Sequence, residues 1–309
     1  MQSKQPNVIA CVPTYRETEQ AYNYLMSCRY ITYRPFTLII VNANPGDETS
    51  KLIDRERNQV DYELIELEGR KEEFWSATIN RGLRKALEVA SFNDWVLISN
   101  IDIEFSEDIV SLALKEALKN RKCQIGALCV ANDIAISSGT QVRSWIMAST
   151  CHPFSGYLKT EVPTNLCIPV DLLATRFMLT PAQAIIEGGL VSERLLPHYH
   201  ADLEFSHRLH RAGYVPYIYT KARIEVDTNN TGDSVYFQTI GFWTRVFRLM
   251  SIRNPSNPWY RMVFVVLVFP WYSWPTATLA YLLRTLIEVA LNKAQIQACF
   301  GTKGRGYAN

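Results

Sequence analysis

The sequence predicts an α/β fold: a mostly parallel, doubly wound sheet with a C-terminal helical, membrane-associating appendage. Three observations carry the sheet. Short aliphatic-rich runs recur through the first 130 residues, as buried strands do. Segments with apolar residues at helical spacing lie between them. Polar turns stand at the carboxyl ends of the runs, where an open α/β sheet meets its ligands.

Taken in order, VIACVP (8–13) is the first strand and ends in the turn PTYRE. Residues 18–30 place Ala21, Tyr24, Leu25 and Cys28 on one helical face. FTLIIVNA (36–43) is the second strand; NPGDETSKLIDRE follows as a Pro-Gly turn and the charged start of a helix. YELIELE (62–68) is the third strand, and GRKEEFWSATINRGLRKALEVA a long helical stretch. WVLISNIDIEF (95–105) opens with an uncharged run, Trp95 to Ser99, and then sets Asn100, Asp102 and Glu104 at alternate positions. A helix over 107–119 and the strand QIGALCV (124–130) continue the alternation. Carboxylates at a strand end suit a hard divalent cation such as Mg²⁺ or Mn²⁺. The plainer alternative is a strand and a polar turn in which Asp102 caps the next helix.

The 309 residues suffice for a large domain plus an appendage. Charge divides the chain. Residues 241–309 hold eight Lys/Arg (Arg245, Arg248, Arg253, Arg261, Arg284, Lys293, Lys303, Arg305) against one acid, Glu288, and four of the seven Trp. Seven scattered cysteines without a CxxC pair fit a reducing compartment and suggest neither a disulfide framework nor a zinc site. The polar start, MQSKQPN, lacks the apolar region of a signal peptide, so the expected location is cytoplasmic.

The run from VIACVPTYRE through VNANPGDET (41–49), FWSATINRGL and SNIDIEF resembles the nucleotide-sugar half of family 2 glycosyltransferases with the GT-A fold, inverting enzymes of the polysaccharide- and rhamnosyl-transferring type. The family's PTYN-like turn, VDNGSTDGT-like loop, N-x-G-L helix (Asn80 to Leu83) and DxD-like strand end all find counterparts in order. The resemblance implies a nucleotide-diphosphate sugar donor contacted by Pro13, Thr14, Tyr15, Glu17, Asn42, Asn44, Asn80, Asn100 and Asp102. It implies a divalent cation, Mn²⁺ or Mg²⁺, on Asp102. Two departures stand out: Asn42, Ala43 and Asn44 replace an aspartate that reads the base, and Asn100 replaces the first acid of the DxD pair.

Further on, IPVDLLATRFMLTP (168–181) is similar to the family's crossing to the acceptor side, with Arg176 inserted. LLPHYHADLEFSHRLHRAGY (195–214) resembles the ED-V-D-L-x-x-R block. Asp202 then falls on the catalytic base, Glu204 on the following acid, Arg208 on the arginine, and Gly213-Tyr214 on the closing pair; Arg176, His200 and Glu204 fall on the acceptor side. The competing reading is an amphipathic helix whose acids and arginines pair on the solvent side. Relatives often place a histidine as a third metal ligand after the next strand; ARIEVDTNNTG (222–232) has none, and Asp227 is the candidate substitute. His198, His200, His207 and His210 lack the i, i+4 pair of zinc hydrolases.

In the tail, the 22 residues from Met262 to Leu283 carry no charge. Pro270 and Pro275 interrupt them, Trp259, Trp271 and Trp274 sit beside and within them, and a basic segment follows. Two interfacial helices or a shallow re-entrant hairpin fit better than a span. A helical pair packed on protein is the alternative. The sequence as a whole predicts an inverting glycosyltransferase, hexosyl- or deoxyhexosyl-transferring, acting on a glycan or lipid-linked acceptor at the inner face of the cell membrane. The predicted division is a catalytic domain over 1–240 (nucleotide-sugar half 1–130, acceptor half 131–240) and a basic aromatic region over 241–309. No nucleic-acid partner is expected, and self-association is left open. The alternatives are a non-catalytic nucleotide-sugar or glycan-binding module of the same fold, and a nucleotidyltransferase.

Overall fold

The computed structural model describes residues 5–136, 138–227 and 242–290. The elements run β1 (Val8–Thr14), α1 (Thr18–Cys28), β2 (Phe36–Asn42), α2 (Glu48–Arg57), β3 (Glu63–Glu68), α3 (Trp75–Val89), β4 (Trp95–Ser99), β5 (Ile103–Glu104), α4 (Ile109–Ala117) and β6 (Cys123–Ala131). The chain continues with β7 (Ile134–Ala135), β8 (Gly139–Ser144), β9 (Ser149–Cys151), β10 (Cys167–Pro169), β11 (Leu172–Leu173), β12 (Phe177–Pro181), α5 (Ala182–Gly188), α6 (Ala201–Arg211) and β13 (Val215–Val226). Three helices close the described chain: α7 (Phe242–Arg248), α8 (Pro258–Val268) and α9 (Trp274–Ala290).

The main sheet runs β10-β13-β6-β12-β4-β1-β2-β3, with β5 on β13 and β7 on β6. β1, β2, β3 and β4 are parallel, and β13 is parallel to β6. β1 and β2 are buried along their whole length, which is why they read as unbroken aliphatic runs rather than alternating ones. The helices use the predicted faces: Ala21, Tyr24, Leu25 and Cys28 of α1 are all buried. Gly82 lets α3 lie directly on the sheet, for a Cβ there would come within 3.1 Å of Val41 and 3.3 Å of Cys11.

Two features depart from the expected pattern. The long helical stretch begins only at Trp75, because residues from Gly69 are held in the loop beyond β3; the Gly69 amide donates to the Asn42 carbonyl at 2.8 Å. The second is β12, which lies antiparallel between β4 and β6, where a parallel neighbour was expected. After β6 the chain builds β7 to β9 and adds β10 antiparallel along β13 at the sheet edge. It re-enters the middle of the sheet at Phe177, beside Ser99 at the carboxyl end of β4, so β12 runs the opposite way. That excursion, with a small sheet of β11-β8-β9, roofs the end where the polar turns lie.

The tail packs rather than trails. Phe264, Val265, Val268 and Phe269 form one apolar cluster with Ala277 of α9 and with Ala148 and Leu172 of the catalytic half. Arg261 of α8 pairs with Glu288 of α9 at 3.1 Å, so the tail's single acid staples its two helices. Arg284 donates to the carbonyls of Ala148 and Met147 at 2.6 and 3.0 Å. No described helix is long and apolar enough to cross a membrane. Pro270 follows the extended C-cap Phe269 and divides the apolar run, and Pro275 falls in the first turn of α9. The segments 228–241 and 291–309, including Lys293, Lys303 and Arg305, lie outside the described residues.

Candidate active site

The polar turn after β4 is built by its neighbours. The Asn100 amide donates to the Arg176 carbonyl at 3.3 Å, and the Ser99 hydroxyl donates to the same oxygen at 3.2 Å. Asp227, just past β13, donates its amide to the Asp102 carbonyl at 3.0 Å. Strand ends far apart in sequence thus hold residues 100–102 from both sides. Asp102 does not cap the next helix: Asp108 does, accepting from the Ser111 amide at 2.9 Å.

These residues face a cavity of about 450 Å³ whose lining includes Pro13, Glu17, Trp75, Asn100, Asp102, His152, Thr175, Arg176, His198, Tyr199, Asp202 and Leu203. Of the residues singled out in the sequence, it brings together Pro13, Glu17, Asn100, Asp102, Arg176 and Asp202. A smaller cleft of about 280 Å³ on the other side of Asp102 is lined by Glu19, Glu104 and Asp227 among others. Thr14 and Tyr15 shape the turn after β1: the Tyr15 amide donates to the Glu17 carboxylate at 3.1 Å, and the Thr14 hydroxyl reaches the same oxygen at 3.5 Å.

Other predicted residues serve elsewhere. Asn42 is fully buried, donating to Asp47, Ser50 and Glu66 while its carbonyl accepts from the Asn44 amide at 2.9 Å. Asn44 donates to Asp47 at 3.0 Å. Asn80 is buried and pairs with both the amide and carbonyl of Val191, at 2.9 Å each, holding α3 to the loop before α6. Glu204 is buried, ion-paired to Arg208 at 2.8 Å and accepting from Ser192 at 3.0 Å. His200 turns away from the cavity: its Nε2 lies 3.2 Å from the Pro255 carbonyl, and its ring stacks on Phe264 at 5.0 Å. Glu204 and Arg208 of α6 therefore do pair, but beneath the surface rather than on the solvent side as the amphipathic-helix reading has it, while Asp202 lines the cavity.

Sequence reasoning passed over Trp75, His152, Thr175, His198 and Tyr199. Trp75 Nε1 donates to Asn100 Oδ1 at 3.4 Å. His152 Nδ1 is 2.9 Å from the Gly139 carbonyl. Trp75 lies within FWSATINRGL, where the resemblance gives it no role, and His152 falls in no motif; the excursion from β8 to β12 brings His152 in. His198, which the sequence offered only to a zinc reading, lies edge-on to Tyr199 with ring centroids 4.6 Å apart.

Electrostatics separate the carboxylates. Burial pushes Asp202 above the ordinary aspartate value, opposed by hydrogen bonding from the Leu203 amide, by the charge of Arg176 and by the Thr175 amide. Burial also raises Asp102, opposed by Arg176 and reinforced by Asp227. Glu17 is raised by burial, with Asp102 contributing. Among the described residues, Arg176 is thus a cation whose charge acts on both aspartates. His198 is held neutral, its pKa lowered to about 4 by burial and then by Arg253.

A hard divalent cation fits this end of the cavity. Asp102 Oδ1 is buried with no hydrogen-bond partner, and Asp227 stands on the next strand end. Among the described residues no three His, Cys, Asp or Glu side chains form a ready cage. That suits an ion held by one or two carboxylates and by substrate phosphates. The histidines of 198–210 do not converge on a zinc site.

Comparison with known proteins gives a family match over part of the chain and a shared fold. Residues 9–159 match the family described as Glycosyl transferase family 2. No curated protein matches the chain in sequence. Among solved structures, GalNAc-T7 with UDP, GalNAc and Mn²⁺ superposes with a TM-score of 0.58 at 10% identity, over 97% of this chain and 57% of that one. The mannosyltransferase PcManGT from Pyrobaculum calidifontis, in complex with GDP-Man and Mn²⁺, gives 0.53 at 16% identity over 94% and 82%. S. aureus TarS gives 0.51 at 10% identity over 84% of this chain and 42% of its own. The chain therefore spans about half the length of the GalNAc-T7 and TarS chains.

Proposed function

From the premise that residues 9–159 form a family 2 glycosyltransferase domain, we propose that the chain moves a sugar from a nucleotide-diphosphate sugar to a hydroxyl acceptor with inversion. The observation that carries this is the shared cavity. Asp102 and Asp202 lie a hundred residues apart in sequence, yet they line one space with Arg176 between their fields.

Inverting transfer needs a base on one face of the sugar and charge stabilisation at the leaving group on the other. Asp202 takes the acceptor hydroxyl proton as that oxygen bonds to the anomeric carbon. The bond from that carbon to the diphosphate breaks on the opposite face, and the diphosphate leaves with the electron pair, as in an inverting hydrolase with the acceptor in place of water. Burial favours the protonated form of Asp202, which strengthens it as a proton acceptor. Arg176 lies where it offsets the charge of both carboxylates and of an incoming diphosphate. Asp102, with Asp227 beside it, would hold a divalent cation, Mn²⁺ or Mg²⁺, which supplies positive charge to the leaving diphosphate when bound. Pro13, Glu17 and Asn100 bound the donor end, and Trp75 orients Asn100. Asn42, Asn44, Asn80 and Glu204 act at one remove, as supports of the loops that carry the contacts.

The tail extends the proposal to where the reaction occurs. α7 to α9 expose Phe247 at 81%, Trp271 at 76%, Trp243 at 70% and Leu286 at 64%, with the exposed Arg248 and Arg253 nearby. Exposed tryptophans mixed with arginines suit the headgroup region of an anionic membrane and a glycan or lipid-linked acceptor. The decisive experiment is turnover against a panel of nucleotide sugars, with and without Mn²⁺. Release of nucleoside diphosphate that needs a hydroxyl acceptor supports the reading. Tight donor binding without any turnover supports the binding-module alternative instead.

A further inference from the structure

We propose that the C-terminal helix α8 positions the catalytic base: through His200 and Leu203 it fixes where α6 starts, and so where the Asp202 carboxylate stands. The inference rests on the role assigned to Asp202 and extends it to a segment that reads in sequence as an interfacial pair or a helical pair packed on protein.

His200 is the residue before α6 and has φ +67°, a left-handed conformation that L residues rarely adopt. Its carbonyl accepts the first bond of the helix, from Glu204 at 3.0 Å, so its backbone sets the helix origin. Asp202 is the second residue of that helix. Two contacts from the tail hold the His200 ring in this geometry. Phe264 of α8 stacks on it at 5.0 Å with ring planes 28° apart, and the Pro255 carbonyl lies 3.2 Å from Nε2. A carbonyl can only accept, so Nε2 carries the proton and the tautomer is fixed. Burial and Arg261 lower the His200 pKa to about 4, keeping the ring neutral at physiological pH.

A second contact runs beside the first. Leu203 follows Asp202, lines the catalytic cavity, and packs against the cluster of Phe264, Val265, Val268 and Phe269. The roof of the site is tied to the same hairpin: Trp145 meets Phe269 edge-on at 5.0 Å, and Arg284 holds the carbonyls of Met147 and Ala148. The base therefore sits between a rigid sheet end and a hairpin whose outer face is exposed. A displacement of about 1 Å at a reacting group can cost on the order of 10²-fold in rate. His200 and Phe264 are accordingly positioning residues; neither lines the cavity.

The test uses the full chain with three variants. His200→Asn keeps a residue that tolerates positive φ and removes the ring. Phe264→Leu keeps an apolar side chain and removes the stack. Leu52→Ala, in α2 and remote from α6, serves as a control for general destabilisation. The expected result for the first two is a fall in kcat of about tenfold or more, with donor KM and nucleotide binding by thermal shift unchanged. The acidic limb of the pH-rate profile moves in both. Leu52→Ala loses melting temperature but not kcat. The second readout does not depend on turnover. The ¹³Cγ titration of Asp202, identified by its absence from Asp202→Asn, changes its midpoint in His200→Asn and Phe264→Leu. An Asp202 titration and a kcat that match wild type in either folded variant overturn the proposal. A wild-type chain that turns over no donor, while its Asp202 titration still responds to His200→Asn, refutes the proposed activity and leaves the positioning intact.

Discussion

Replacing Asp202 by Asn is the sharpest test of the active site, because the structure predicts opposite effects on rate and stability. Three carboxylates line the cavity: Glu17, Asp102 and Asp202. Glu17 and Asp102 interact with each other, and the proposed mechanism assigns both to the donor end, so on that assignment neither replaces Asp202. Loss of a general base costs about 10²–10⁴ in rate, which at 1.36 kcal/mol per tenfold is roughly 3–5 kcal/mol of transition-state free energy. Donor KM should change little, since the residues at the donor end are untouched. Stability runs the other way. The folded pKa of Asp202 lies above its unfolded value because burial penalises the charge. The ionised carboxylate therefore costs stability above the folded pKa, and that cost is relieved as pH falls through it towards the ordinary value. Asn carries no charge, so the melting temperature at neutral pH should hold or rise. The assay is kcat, donor KM and thermal melting on the same preparation, with kcat/KM followed against pH. Wild type should show an acidic limb set by Asp202 above pH 3.8, and the variant should lose that limb. Unchanged turnover in the variant, or a rate loss matched by a loss of folded protein, refutes the assignment.

Asp102→Asn should raise the Mn²⁺ or Mg²⁺ concentration needed for half-maximal rate and lower kcat/KM by on the order of 10²-fold, read by metal titration; identical metal curves would remove Asp102 as a ligand. Asn80→Ala leaves the Val191 amide and carbonyl unpaired in a buried site and should cost about 1–3 kcal/mol in urea unfolding, whereas lost donor affinity at unchanged stability would return Asn80 to the nucleotide site. His198, His200 and His207 are each lowered to about 4, so their folded values lie below the unfolded one. Their contribution to stability is present above about pH 6.5 and is lost as pH falls towards 4, by at most about 3 kcal/mol per group. His207→Gln should flatten the urea-midpoint slope across that window, and a parallel slope would show that burial does not hold it neutral. Trp271→Ser combined with Leu283→Ser removes two exposed apolar side chains from α9 and its approach. At about 1.5–3 kcal/mol each, flotation on anionic liposomes should fall by at least tenfold; equal flotation would exclude the membrane role of that face. Cutting the chain near residue 240 is a poorer test, since it would strip Ala148 and Leu172 of their packing partners.

Much of the fold was legible because burial on both faces leaves a strand no freedom of composition. β1, β2 and β4 appear in the sequence as uncharged runs for that reason. The turn at the end of β4 was legible because alternate polar residues cannot continue a buried strand. The roles of Asn42, Asn80 and Glu204 were less legible. A buried amide that satisfies a backbone pair and one that reads a ligand have the same sequence signature. Only the positions of Val191, Asp47 and Arg208 distinguish them. His152 and Trp75 left no periodic trace, since each enters the cavity from a segment shaped by its neighbours.

The tail shows the same limit most clearly. Its sequence offered two readings, an interfacial pair and a pair packed on protein; in the structure one face packs on protein and the other is exposed. Hydropathy counts apolar residues without saying which faces they occupy. Phe264, Val265 and Val268 are buried on the catalytic half, while Val266 and Trp271 are exposed.

By itself, then, the sequence determined the alternation of strands and helices, the polar strand ends and the division of charge between body and tail. Local composition encodes these, because solvent exposure and backbone periodicity act residue by residue. The tertiary structure alone decided that β12 runs antiparallel between β4 and β6, that Asp102 and Asp202 share a cavity, and that His200 answers to α8. Those depend on segments distant in sequence meeting at fixed distances, a condition that no local pattern carries.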